Sequence, residues 1–305
     1  MQNFLQEETR SGFLVTTKRK KVWLRELEIM QQFINICEKH NLRYILADGS
    51  LLGAVRHQGF IPWDDDMDVG MPRKDYEEFL KIAKDELEYP FLLDDFETNK
   101  EMASGFARIR NNETTAFRRD VSTYKFPNQA GIFIDIFPYD NIPDNKFKRK
   151  LHQKRVYILK RLVNNSPLYG HDLPMSFPRK CFLMMDTILC KFIKPEKIYN
   201  HFQRVCQKYN NKDCKLSVYA VFDYKERFYV ENKSFDDCQM AKFEFLNARI
   251  PSNYDVILTR EYGDYHKFVI GTQTHDVAYF DTEVGFKNFE KDYLKFINDF
   301  NDGEF

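Results

Sequence analysis

Residues 49–72 read Gly49-Ser50-Leu51-Leu52-Gly53-Ala54-Val55-Arg56-His57-Gln58-Gly59-Phe60-Ile61-Pro62-Trp63-Asp64-Asp65-Asp66-Met67-Asp68-Val69-Gly70-Met71-Pro72. The second half of this stretch packs Asp64, Asp65, Asp66 and Asp68 together. Carboxylates this close repel one another unless something positive sits among them. Met67, Val69 and Met71 alternate with Asp66, Asp68 and Gly70. That period of two predicts a strand over Asp66–Met71, with Asp66 and Asp68 on one face and the apolar side chains on a core. A solvated acidic loop needs no such alternation. A calcium loop fits poorly: Asp64, Asp66 and Asp68 take positions one, three and five, but Val69 stands where glycine is required and Asp75 where glutamate closes the loop. The remaining reading is a D-x-D pair for a hard divalent cation, Mg²⁺ or Mn²⁺, with coordination sites left for phosphate.

That reading requires further parts, and the flanks supply them. Upstream, Tyr44–Ala47 is an apolar strand candidate ending in Asp48-Gly49-Ser50, a turn whose N–H groups can face phosphate oxygens. A short helix is predicted over Leu51–His57. Downstream, Pro72 ends the strand, and Tyr76, Phe79, Leu80, Ala83 and Leu87 mark a helix over Arg73–Leu87. Trp23, Leu27, Met30, Phe33, Ile34 and Cys37 mark another over Lys20–Lys39. Phe91–Leu93, Phe106–Arg110, Gly131–Phe137, Val218–Phe222 and Phe243–Ile250 are further strand candidates, and helices are predicted over Ser252–Tyr262, with Ser252 as its cap after Pro251, and over Asn288–Phe300. Within Gly131–Phe137, Asp135 stands alone among isoleucines and phenylalanines, a costly place for a carboxylate unless it is paired or bound to metal. Arg108 and Arg110 alternate and would share a strand face. The mixture of helices and short strands predicts an α+β fold.

The block from Gly49 to Pro72 closely resembles the signature of the LicD family, which includes phosphocholine transferases and is related to fukutin-type ribitol-phosphate transferases. Gly131–Asp140 is similar to the family's second block, and Tyr262-Gly263-Asp264-Tyr265 to its C-terminal block. The resemblance implies a nucleotidyltransferase-like core with a mixed sheet flanked by helices. It implies transfer of phosphocholine, or a similar phospho-alcohol, from CDP-choline or another CDP-alcohol to a sugar hydroxyl, with CMP leaving. The acceptor would be a cell-surface glycan or its lipid-linked precursor. By position, Asp66 and Asp68 match the metal-binding pair, Asp135 the third carboxylate, and Gly49 and Ser50 the turn that holds donor phosphates. Arg56, Arg73, Arg108 and Arg110 are candidates for phosphate contact, because guanidinium groups grip phosphate oxygens two at a time. Trp63, Tyr124, Phe137 and Tyr139 are aromatic faces near the motifs that a quaternary ammonium could use. His57, His266 and His275 read as structural or surface groups.

The whole chain of 305 residues carries 46 basic and 46 acidic side chains. Neutrality excludes a uniformly basic nucleic-acid binder. It also conceals a division. Residues 146–208 hold 15 Lys and Arg against Asp172, Asp186 and Glu196, while residues 1–145 and 209–305 are each net acidic. Phe182–Ile193 forms an apolar run within the basic segment, a pattern suited to an anionic membrane surface or an anionic glycan. The expected organisation is a catalytic core over 20–145, a basic helical segment over 146–215, and a C-terminal α/β part over 216–305. No stretch is apolar enough to span a bilayer and the first residues lack a signal peptide's apolar region, so the expected location is the cytoplasm, with peripheral contact at the membrane's inner face as an option. The six cysteines lack metal-site spacing and read as reduced thiols. Two other functions fit the residues: a nucleotidyltransferase that releases pyrophosphate, and a non-catalytic membrane or polyanion binder.

Overall fold

The computed structural model describes residues 3–100, 102–117, 129–164, 193–220, 225–270 and 279–289. The apolar run from Phe182 to Phe192, Tyr124, His275 and most of a helix expected over Asn288–Phe300 lie outside them.

A hairpin of β1 (Glu8–Arg10) and β2 (Phe13–Val15) leads into α1 (Thr17–Lys39). The helix starts earlier than the apolar stripe predicts because the Thr16 hydroxyl accepts the Arg19 N–H at 3.3 Å and caps it. Its stripe, Trp23 to Cys37, is buried. Next come β3 (Ile45–Leu46), α2 (Asp48–His57), β4 (Asp68–Pro72) and α3 (Arg73–Glu86). Then follow β5 (Phe91–Asp94), β6 (Ala107–Asn111), β7 (Thr115–Phe117) and the long β8 (Ile132–Ile142). The basic segment supplies α4 (Lys146–Asn164) and α5 (Pro195–Cys206). The remaining elements are β9 (Leu216–Val218), β10 (Val230–Glu231), β11 (Cys238–Phe243), β12 (Leu246–Pro251), α6 (Tyr254–Tyr262), β13 (Tyr279–Asp281) and α7 (Phe286–Phe289).

The main sheet runs β10-β9-β8-β4-β3, with β6 along β8 and β5 outside β6. It is mixed: β4 lies parallel to β8, and the other pairs are antiparallel. The register sets Asp68 beside Asp135 on one edge of β8 and Arg108 beside Asp135 on the other. Beyond Pro138 the β6 side of β8 passes to β9, so one strand carries two partners in succession. With α1 and α3 packed on the sheet, the architecture is mixed α+β, as the sequence predicts.

Three expectations need correction. Asp48-Gly49-Ser50 is the first turn of α2, not a turn before it. The strand over Phe243–Ile250 is a hairpin, β11 and β12, reversing at Glu244 and Phe245. The helix expected to be capped by Ser252 starts at Tyr254, with Asn253 in the cap position.

Candidate active site

The site begins with how the acidic run is held. Asp68 opens β4; its N–H donates to Ser50 Oγ at 2.8 Å, and its carbonyl accepts the Ala47 N–H at 3.1 Å. The start of α2 is thus pinned to the start of β4. Met67, Val69 and Met71 are buried, as the alternation requires, while Asp66 precedes the strand. The Asp64 carbonyl accepts the Trp23 indole N–H at 3.0 Å and an Arg19 N–H at 2.9 Å, so α1 fixes the run from behind.

Asp48, Gly49, Asp64, Asp66 and Asp68 line one cleft of about 420 Å³. Its rim and far wall carry Arg56, Trp63, Arg227, Phe228 and Glu261, with Tyr262, Asp264 and Tyr265 from the C-terminal block. A Cβ on Gly49 would sit 2.9 Å from Asp64 Oδ2, so a larger residue there would displace that carboxylate. Arg56 donates to the Tyr265 carbonyl at 2.9 Å and lies 4.7 Å over the Phe268 ring. His57 stacks on Phe268, and burial together with the Arg56 charge holds its pKa down at about 4. It is therefore neutral at physiological pH.

The electrostatics are those of crowded carboxylates. Burial, then the charges of Asp66, Asp48, Asp135 and Asp64, push Asp68 well above the usual carboxylate range. Burial, then Asp66 and Asp65, do the same to Asp64. On the far wall, burial comes first again for Asp48 and Glu261, which hydrogen-bond to each other. Both are raised, and Tyr219 Oη donates to Asp48 Oδ2 at 2.5 Å. Asp48 also holds a φ of +45°, a left-handed conformation that aspartate tolerates better than most residues.

Of the residues expected at the site, Asp66, Asp68, Gly49 and Arg56 meet in this cleft. Ser50 lies behind it, occupied with Asp68. Asp135 is next to Asp68 in register but is paired with Arg108, whose Nε donates to Oδ1 at 2.5 Å. Arg108 and Arg110 do share a face, over the Phe133 ring. Arg110, however, is buried on Asp94 at 2.5 Å and the Gly131 carbonyl at 2.9 Å. Arg73 is buried on Asp140 at 2.6 and 2.9 Å, with Gln203 at 3.1 Å. None of Arg73, Arg108, Arg110 and Asp135 lines the cleft, and phosphate contact by Arg73 and Arg110 does not fit: their donors are spent on Asp140 and Gln203, and on Asp94 and the Gly131 carbonyl, inside the protein. Among the aromatic candidates Trp63 lines the cleft, whereas Phe137 and Tyr139 are buried against Tyr219. Glu261 and Arg227 are cleft residues that the sequence reading passed over, and Asp48 entered it only as part of a turn.

Aspartate oxygens are the donors a hard cation takes, so the chemistry of Asp64, Asp66 and Asp68 suits Mg²⁺ or Mn²⁺. Among the described residues no three side chains are already gathered at ligand spacing.

The profile of the family described as LicD/FKTN/FKRP, nucleotidyltransferase domain, matches residues 41–180. Lipopolysaccharide cholinephosphotransferase LicD of Haemophilus influenzae is 30% identical over 257 residues, covering 81% of this chain and 93% of that protein. Ribitol 5-phosphate transferase FKRP of Homo sapiens is 44% identical over 48 residues, covering 16% of this chain and 10% of its own. With similarity extending over most of both chains, and with the three sequence blocks bordering one cleft or the strand beside it, this chain belongs to the LicD family.

Proposed function

We propose that the protein transfers phosphocholine, or a closely related phospho-alcohol, from a CDP-linked donor to a sugar hydroxyl of a cell-surface glycan or its lipid-linked precursor. The observation that carries this is the shared cleft: Asp66 and Asp68 face it together with Gly49 at the N-terminus of α2 and with Arg56. A helix N-terminus and a guanidinium both attract phosphate, while the carboxylates would hold Mg²⁺ or Mn²⁺. Once bound, the cation would neutralise donor pyrophosphate charge. Phosphocholine is preferred because the long match is to a cholinephosphotransferase. Trp63, Phe228, Tyr262 and Tyr265 also give the cleft aromatic faces suited to a quaternary ammonium.

The reaction is displacement at phosphorus. The acceptor oxygen bonds to the phosphorus of the phospho-alcohol, the bond to the bridging oxygen breaks, and CMP leaves with that oxygen. The hydroxyl proton passes to a carboxylate. Asp135 would take that proton, hold metal, or do both; its partner Arg108 is placed to steady charge beside Asp68. Such a reaction rests on positioning and charge neutralisation.

The test is CMP release from CDP-choline, CDP-ribitol and CDP-glycerol with and without Mg²⁺. Asp66→Asn, Asp68→Asn and Asp135→Asn should each slow release by about a hundredfold or more, and a chelator should abolish it. Near-parental rates in all three variants would refute the site. Pyrophosphate release in place of CMP would establish the nucleotidyltransferase reading instead.

A further inference from the structure

α4 has two faces of unlike character. His152, Val156 and Val163 are buried and pack toward α5 and the far end of β8. The opposite face carries Phe147, Leu151 and Ile158, which are 78%, 47% and 43% exposed. At 100° per residue these three fall in one stripe, with Lys154 among them. Lys148 and Arg155 flank the stripe on one side, Lys150 and Tyr157 on the other, and all four are exposed. From Lys146 to Asn164 the helix holds eight cations and not one acidic residue.

An outward apolar stripe inside a cationic band is the pattern of a helix that lies in the plane of a membrane surface. We infer that this face of α4 seats the protein on the surface of an anionic lipid bilayer. The cations would meet the headgroups, and Phe147, Leu151 and Ile158 would enter the boundary beneath them. α4 would lie on the membrane and not cross it: it is not long and apolar enough to span one, and its inner face is committed to the core. A soluble polyanion would account for the cations but not for a phenylalanine left 78% exposed among them. The inference is independent of the transfer reaction proposed above, and its test reads no catalysis.

The full chain is floated with vesicles of phosphatidylcholine alone, or containing about one third phosphatidylglycerol, at low and at high salt. Binding is expected to the anionic vesicles only, and to be lost at high salt as the headgroup field is screened. Each exposed basic residue near an anionic surface contributes about 1 kcal/mol, or roughly fivefold in affinity, so Lys150→Ala with Lys154→Ala should weaken binding about twenty-five-fold. Phe147→Ser with Leu151→Ser should weaken it by about tenfold or more. Lys74→Ala with Lys81→Ala, equally exposed on α3, should bind like the parent. All six positions are exposed, so circular dichroism should report an unchanged fold. Absence of binding to anionic vesicles at low salt overturns the inference. So does parental binding by the Lys150/Lys154 variant. Parental binding by the Phe147/Leu151 variant, with polyphosphate held as tightly as vesicles, would assign the face to a soluble polyanion instead.

Discussion

Glu26 shows what a single buried carboxyl does behind a cluster of its own kind. It sits on α1, 1% exposed, and its Oε2 has no hydrogen-bond partner. Burial foremost, then the charges of Asp66, Asp65 and Asp64, push its pKa well above the ordinary 4.5. The folded protein therefore keeps this proton to higher pH than the unfolded chain does. Stability should fall as pH rises above 4.5 toward the folded value, by up to about 1.4 kcal/mol per pH unit across that interval. Glu26→Gln removes the ionisation. Urea unfolding should find this variant more stable than the parent at neutral pH and similar to it in acid; a parent that gains stability with rising pH in that interval would contradict the assignment. The sequence disclosed Asp66 and Asp68 because alternation with Met67, Val69 and Met71 is a local signal. It did not disclose Glu26, whose place behind the run depends on how α1 packs.

Arg73 and Arg56 separate structural from functional arginines at the scale of elements. Arg73 opens α3 and ties it to Asp140 on β8, an aspartate with no exposed surface that also accepts from Asn210 Nδ2 at 2.7 Å. Removing one partner strands a buried charge, so Arg73→Ala should cost about 3–5 kcal/mol in urea unfolding. Arg56→Ala loses part-buried hydrogen bonds to the Tyr265 carbonyl and to His57 Nε2 and should cost only about 1–2 kcal/mol, while CMP release falls steeply. If Arg73→Ala leaves stability intact and slows release, the two roles are reversed. Both arginines looked alike in the sequence, because an Asp140 partner becomes visible only once β8 extends past Pro138. The β11–β12 hairpin was hidden for another reason. Its reversal at Glu244-Phe245 lacks the glycine or asparagine that announces a tight turn. Glu244 takes a φ of +54° instead, and Arg10 grips its carboxylate at 2.5 and 2.9 Å. Gly70 was legible only as part of a motif. Its neighbour gives the physical reason: a Cβ there would stand 2.4 Å from the buried Tyr139 ring.

At the scale of the molecule, the buried apolar side chains of the described residues divide into two cores. The larger joins α1, α2, α3 and the sheet; the smaller joins α4, α5 and the far end of β8 around Phe202, Val156 and Ile198. Phe228 belongs to the smaller core and lines the cleft as well. Phe202→Ala, at a side chain 1% exposed, should cost about 3–5 kcal/mol. Hydrogen exchange should speed first in α4 and α5 and only later in α1 and β4; equal acceleration throughout would show one cooperative core. The charge division between the acidic segments and the basic middle was readable from residue counts. That β9 and β10 would complete the sheet begun by β4 and β8 was not, because pairing across so long a stretch leaves no periodic trace.

The wall shared by Asp48 and Glu261 has a consequence for the order in which the protein is made. A ribosome delivers Asp48 and the acidic run first, Tyr219 only 171 residues after Asp48, and Glu261 later still. Until then Asp48 lacks both hydrogen-bond partners that hold it in a left-handed conformation, and the cleft lacks its far wall. A nascent chain stopped short of β9 presents a row of carboxylates on a sheet that still lacks β9 and β10. The site comes into being only when Tyr219 and α6 fold back onto strands made long before them.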